Sequence, residues 1–213
     1  WNARWESGAQ TEFASEIVPP TSAVESGHAY RARVRMQDAT GHWSHWSEPI
    51  QFIASAATSS KLVESLRISE LHFHPADAFQ AEVSAGFNAA DDFEFIELVN
   101  IGDTTLDLSG AELVRTDLNG DAQGVDFRFV DGAITELAAG DRLLVVEDLD
   151  AFRFRYGDDL PVAGQWNGAL SNGGEQITLL GDGFQIHQFS YDDRWHPAAD
   201  GDGPSLELID ATN

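Results

Sequence analysis

Asp92-Phe93-Glu94-Phe95-Ile96-Glu97-Leu98-Val99-Asn100 is the stretch on which the fold turns. Read with a period of two and bounded by Asp and Asn, it predicts a strand over Phe93–Asn100. Successive side chains on a strand point to opposite faces, so Glu94 and Glu97, three apart, cannot by themselves form a general-acid/base pair. Glu97 alternates with Phe93 and Phe95, which places it on the inward-facing side or at its rim. A partly buried glutamate needs a partner, and Arg67 and Arg115 are the candidates.

The same alternation recurs outward from this stretch. Leu66–Phe73, Ala111–Thr116, Val125–Val130, Arg142–Glu147, Gln176–Leu180, Gln185–Ser190 and Ser205–Ile209 complete eight short strands separated by Gly, Asp and Asn turns. The chain is thus expected to be all-β, a sandwich of two sheets. Leu149–Tyr156 is the helical candidate, with Asp148 or Asp150 as cap and Gly157 as stop. Nearer the start, Tyr30-Arg31-Ala32-Arg33-Val34-Arg35-Met36 alternates cleanly, with three arginines on one face, and Ile50-Gln51-Phe52-Ile53 follows Pro49. Ala54-Ser55-Ala56-Ala57-Thr58-Ser59-Ser60 is a small, polar run of linker type. The expected division is 1–53, a connecting segment 54–65, and a main domain 66–213.

The charge is lopsided. Of 213 residues, 36 are acidic and 12 basic, a net charge of −24. Residues 1–65 carry seven acids and five bases, whereas 66–213 carry 29 and seven, which marks a boundary. Such a field repels phosphate backbones and anionic lipids, so nucleic acid and membrane are poor partners; it welcomes cations such as calcium, or simply keeps an exposed module soluble. There is no cysteine, hence no disulfide framework and no thiolate chemistry. No apolar run approaches the roughly 18 residues of a membrane span. Trp1-Asn2-Ala3-Arg4-Trp5 is no signal peptide, and the chain is expected to come from a longer parent with other domains.

Two resemblances attach to these residues. Trp43-Ser44-His45-Trp46-Ser47 matches the Trp-Ser-x-Trp-Ser signature of cytokine-receptor fibronectin domains, and residues 30–35 and 46–52 resemble the last two strands of a fibronectin type III domain. The resemblance implies that Arg31, Arg33 and Arg35 insert between Trp43 and Trp46, each stack contributing about 0.5–2 kcal/mol. Residues 66–213 resemble the lamin-tail family. Leu66–Pro75 looks like the opening strand of bacterial members, Asp92–Asn100 like the "E-(F/W)-I-E-L-x-N" strand, and Gly102–Leu113 like the "(V/L)-D-L-S-G-W-x-L" element, with Ala111 in place of tryptophan. Leu137–Val146 and Ala199–Leu208 complete the series. The resemblance implies an immunoglobulin-like β-sandwich without chemistry of its own, an accessory, adhesive or anchoring unit of large extracellular or cell-surface proteins, in which Glu97 is a structural hydrogen-bond hub.

The remaining candidates are weighed by chemistry. Asp192, Asp193, Asp200 and Asp202, interleaved with glycines, offer the oxygens calcium requires, or are ordinary tight turns. Asp117, Asn119 and Asp121 have the spacing that opens an EF-hand loop, but Ala122 and Arg128 stand where glycine and glutamate are needed. His72 and His74 share a strand face and would chelate zinc or copper if a third ligand joined them. Trp166, Tyr191 and Trp195 sit in or near turns, where they could stack on sugars or serve as core lids. No Gly-x-Ser-x-Gly, Ser/His/Asp cluster or phosphate-cradling glycine loop is present. The expectation is a non-enzyme whose partner is a protein or polysaccharide surface, with a glycan-binding accessory module as the alternative.

Overall fold

The structure is a computed structural model that describes residues 3–10, 19–20, 23–25, 27–54, 60–118 and 120–209. Its contacts divide the chain into two units, Trp1–Thr58 and Ser59–Asn213.

In the first unit, β1 (Ala29–Ala32) pairs antiparallel with β2 (Ile50–Ile53), Tyr30 opposite Phe52 with stacked rings 5.9 Å apart. Past β1 the chain runs beside the Trp-Ser repeat. Val34 and Met36 accept from the backbone N–H of Ser47 and Ser44 at 2.8 Å each, and the same two serine hydroxyls accept from the N–H groups of Val34 and Met36. Each serine thus satisfies both backbone groups of one residue, Ser47 those of Val34 and Ser44 those of Met36. No residue of this unit is buried among those described.

The second unit is the sandwich. Its strands are β3 (Leu66–His72), β4 (Phe95–Asn100), β5 (Leu106–Asp107), β6 (Ala111–Leu113), β7 (Thr116–Leu118), β8 (Asp121–Gln123), β9 (Phe127–Arg128), β10 (Glu136–Leu137), β11 (Arg142–Val146), β12 (Val162–Gln165), β13 (Gln176–Gly181), β14 (Phe184–Ser190) and β15 (Leu206–Glu207). One sheet has the order β12-β11-β4-β3-β15 and the other β14-β13-β6-β9; β5 with β10 and β7 with β8 form two-stranded pairs. Leu66, Ile68, Leu71, Ile96, Leu98, Leu143 and Val145 of the first sheet meet Leu113, Phe127, Ile177 and Leu179 of the second in one buried core. At about 1.5–3 kcal/mol for each fully buried aliphatic side chain, this core is the main stabilising term.

Alternation decides what covers the outer faces. Leu143 and Val145 point into the core, so Leu144 and Val146 point out, and helix α3 (Leu149–Tyr156) covers them through Phe152. Asp148 caps that helix by accepting from the N–H groups of Asp150 and Ala151. Strand β3 changes parity midway. A bulge at Ser69, between the pairs Ile68–Leu98 and Glu70–Glu97, lets Leu66 and Ile68 face inward before it and Leu71 and Phe73 after it. The β13–β14 turn is Asp182-Gly183 with both φ angles positive, 53° and 78°, the backbone that a two-residue hairpin requires.

Several expected boundaries shift. Residues 61–65, read above as part of the connecting segment, form helix α1 (Lys61–Ser65), capped by the Ser60 hydroxyl, which also donates to Asp182 at 2.6 Å. A second helix absent from the sequence reading, α2 (Gln80–Ala85), lies between β3 and β4. The strand expected from Phe93 starts at Phe95, because Asp91–Phe93 closes a 3-10 turn. Ala111–Thr116 splits into β6 and the start of β7, and Val125–Val130 contracts to β9 followed by a 3-10 turn.

Candidate functional site

Buried Glu94, at the start of β4, lies near buried Glu175 and partly buried Asp91 and Glu147. The 3-10 turn there brings Asp91 and Glu94 together, with Glu94 N–H donating to the Asp91 carbonyl at 3.0 Å. Glu94 is wholly buried. Its carbonyl accepts from Glu147 N–H at the end of β11, and its Oε2 accepts from Leu170 N–H at 3.4 Å, while its Oε1 has no hydrogen-bond partner. Burial pushes the Glu94 carboxyl up to about 9, and the charges of Asp91, Glu147 and Glu175 push the same way. Glu175 is satisfied: it accepts from Gly124 N–H at 2.7 Å and Ser171 N–H at 3.1 Å. Tyr191 OH donates to the Ser171 carbonyl at 2.7 Å, and burial raises its pKa. Asn172 Nδ2 approaches Asp91 Oδ1 at 3.4 Å, and its Oδ1 is buried without a partner.

Of the two glutamates, Glu94 and not Glu97 is the buried one. In the structure Glu97 lies on the outer face with Phe95, not among the inward-facing core residues, and its Oε1 accepts from the Ser69 hydroxyl at 2.7 Å and pairs with Arg142 at 3.3 Å. Neither expected arginine reaches it. Arg67 donates to the carbonyls of Val63, Glu64 and Leu66, and Arg115 N–H donates to Asp126. A signal for Glu94 did exist: it has the parity of Ile96 and Leu98, so it sits in register with the aliphatic residues that face the core.

The acidic turns do not converge. Asp192 is engaged by Arg194, whose guanidinium holds its carboxyl well below the usual carboxylate range, and Asp193 lies 3.9 Å from the same arginine. Asp200 accepts from His74 at 2.6 Å, and Asp202 is exposed in the bend that follows. Asp117 accepts from Gly120 N–H as a hairpin turn does; Asn119 lies outside the described residues, and Asp121 opens β8. His72 and His74 part as well. His72 is buried edge-on to Phe95, 3.4 Å from Tyr156 OH, and burial lowers its pKa to about 4, whereas His74 turns to Asp200. Among the described residues no three or more His, Asp or Glu side chains are grouped as a metal-ligand set.

Of the three aromatics considered for sugar stacking, Trp166 is 4% exposed and Tyr191 2%, both part of the core, while Trp195 is 59% exposed. In the first unit Arg35 lies over both Trp43 and Trp46, 4.3 and 4.5 Å from the ring centres. Arg31 pairs with Gln51 in the sheet register, and Arg33 is exposed just past β1. An open groove of about 440 Å³ between β9 and β12 brings Phe127, Arg128, Asp131 and Gly164 together. Asp131 faces Arg128 there at 3.6 Å, and no nucleophile–base pair lines it.

The Lamin Tail Domain family matches residues 59–193, from just before α1 to just past β14. No curated protein matches the chain. The family is a structural, immunoglobulin-like one and not a catalytic one, in keeping with the two face-packed sheets. The match covers more than half of the chain, which therefore belongs to the Lamin Tail Domain family.

Proposed function

We propose that the chain is a non-catalytic structural or adhesive module of a larger secreted or cell-surface protein, acting through its outer surface on a protein or polysaccharide. One observation carries this reading. The Lamin Tail Domain unit buries a continuous core between its sheets, and its surface is a field of carboxylates with few bases. Acids on such a surface favour solubility and contact with cationic or hydroxyl-rich partners over nucleic acid.

A direct test measures retention of the purified chain on extracellular matrix and cell-envelope fractions, alongside turnover of ester, glycoside and phosphodiester substrates. Retention without turnover is expected, unchanged by Trp195→Ala. The alternative, a carbohydrate-binding module that targets an attached enzyme, is favoured by the exposure of Trp195, since an indole face on a turn is a ready sugar platform. Binding on a glycan array that Trp195→Ala abolishes would establish that version instead.

A further inference from the structure

We propose that Asp91, Glu94 and Asn172 form a calcium site where the 3-10 turn before β4 meets the loop between β12 and β13. The Asp91–Phe93 turn ends at Glu94, whose N–H donates to the Asp91 carbonyl and whose carboxyl feels the Asp91 charge. The loop closes over them through two long contacts, Leu170 N–H to Glu94 Oε2 and Asn172 Nδ2 to Asp91 Oδ1, each 3.4 Å and at the weak limit of hydrogen bonding. Two oxygens stay without a donor, Glu94 Oε1 and Asn172 Oδ1, although both are shielded from solvent.

A buried polar atom without a partner is costly, and a carboxylate more so. The charged groups that act on Glu94 are Asp91, Glu147 and Glu175, all acidic. A cation at Glu94 Oε1 would supply the contact that this buried oxygen lacks and offset the neighbouring negative charge. All the available ligands are oxygens, two carboxylates and one amide, which selects a hard cation over zinc. The site is enclosed on the Glu94 side, which suits calcium better than magnesium with its retained waters. Glu175 is not a ligand, since both its oxygens already accept backbone N–H groups; it and Glu147 supply negative field. This set of two acids and an amide shares no residue with the acidic turns at Asp117, Asp121, Asp192, Asp193, Asp200 and Asp202.

The experiment uses the 213-residue chain near neutral pH, in calcium chloride or in EDTA at matched ionic strength. Calcium is expected to raise the melting temperature by several degrees, because a ligand of the folded state stabilises it. Terbium is expected to luminesce on tryptophan excitation, with Trp166, whose backbone N–H donates to the Val146 carbonyl next to Glu147, as the nearby antenna, and calcium should quench the signal by competition. Glu94→Gln keeps the shape and removes the charge. It should melt no lower than wild type in EDTA yet lose both responses, and Asn172→Ala should weaken terbium binding several-fold. Equal melting with and without calcium, combined with no terbium signal, would overturn the proposal. So would a calcium response that survives Glu94→Gln but disappears in Asp200→Asn, which would move the ion to the terminal turns.

Discussion

Asn100 is fully buried at the end of β4 and meets three backbone groups with one amide. Its Nδ2 donates to the carbonyls of Thr104 and Leu137 at 2.8 and 3.0 Å, and its Oδ1 accepts from Gly102 N–H at 2.9 Å. Asn100→Ala leaves these groups unsatisfied in the interior, so it is expected to cost about 2–4 kcal/mol. Urea unfolding should show a lowered midpoint with an unchanged slope. His72 supplies a pH signature. Its pKa of about 4 in the fold lies below the ordinary histidine value, because burial disfavours the imidazolium, with Arg155 and His74 acting in the same direction. The unfolded chain therefore binds the proton more readily, and His72 lowers stability as pH falls from about 6.5 through about 4. In His72→Phe that part of the acid limb should flatten, as measured by denaturation midpoints across the range. At this scale the sequence showed which residue types were unusual but not what they touch. Glu97 was recognisable as a hub, yet its partner Arg142 comes from a strand whose register only the folded sheet determines.

Among the elements, α3 was the easiest to read and α2 the hardest, for opposite reasons. Helix α3 carries its own signals, an Asp148 cap and a Gly157 stop, and buries Phe152 beneath it. Phe152→Ala is expected to destabilise by about 3–5 kcal/mol, seen as a drop in melting temperature together with loss of the aromatic circular dichroism that Phe152, Phe95 and Tyr156 produce by packing edge to face. Helix α2 begins at Phe79, a poor cap by type. It is held from outside by Arg155, which meets both oxygens of Glu82 at 2.7 Å and lies over Phe93. Arg155→Ala strands a buried carboxylate and should cost about 3–5 kcal/mol, whereas replacing the pair by Met at both positions should recover most of that loss. Strands β5, β10 and β15 escaped recognition or were overextended because two residues cannot display an alternation. Their existence depends on neighbours far along the chain.

Over the whole molecule, the two units differ in kind. The Lamin Tail Domain unit has a closed core, and a fragment spanning 59–213 is expected to melt at the temperature of its parent's main transition in calorimetry. Its self-repulsion is long-ranged, and salt screens it over about 10 Å at 0.1 M. Its melting temperature should therefore rise with sodium chloride, and a flat response would show that the carboxylates are already compensated. The two-sheet architecture was legible because hydrophobic alternation repeats through eight segments. The bulge in β3 was not, since one extra residue leaves no mark on composition. That bulge gives the first strand of the sandwich one position, and only one, at which a residue can be lost without a change of phase. Deleting Ser69 would set Ile68 beside Glu70 opposite Leu98 and Glu97, a regular pairing that keeps Leu71 and Phe73 inward and leaves soluble protein; deleting Arg67 instead would turn Leu66 toward water, and that shortened chain should accumulate as insoluble aggregate.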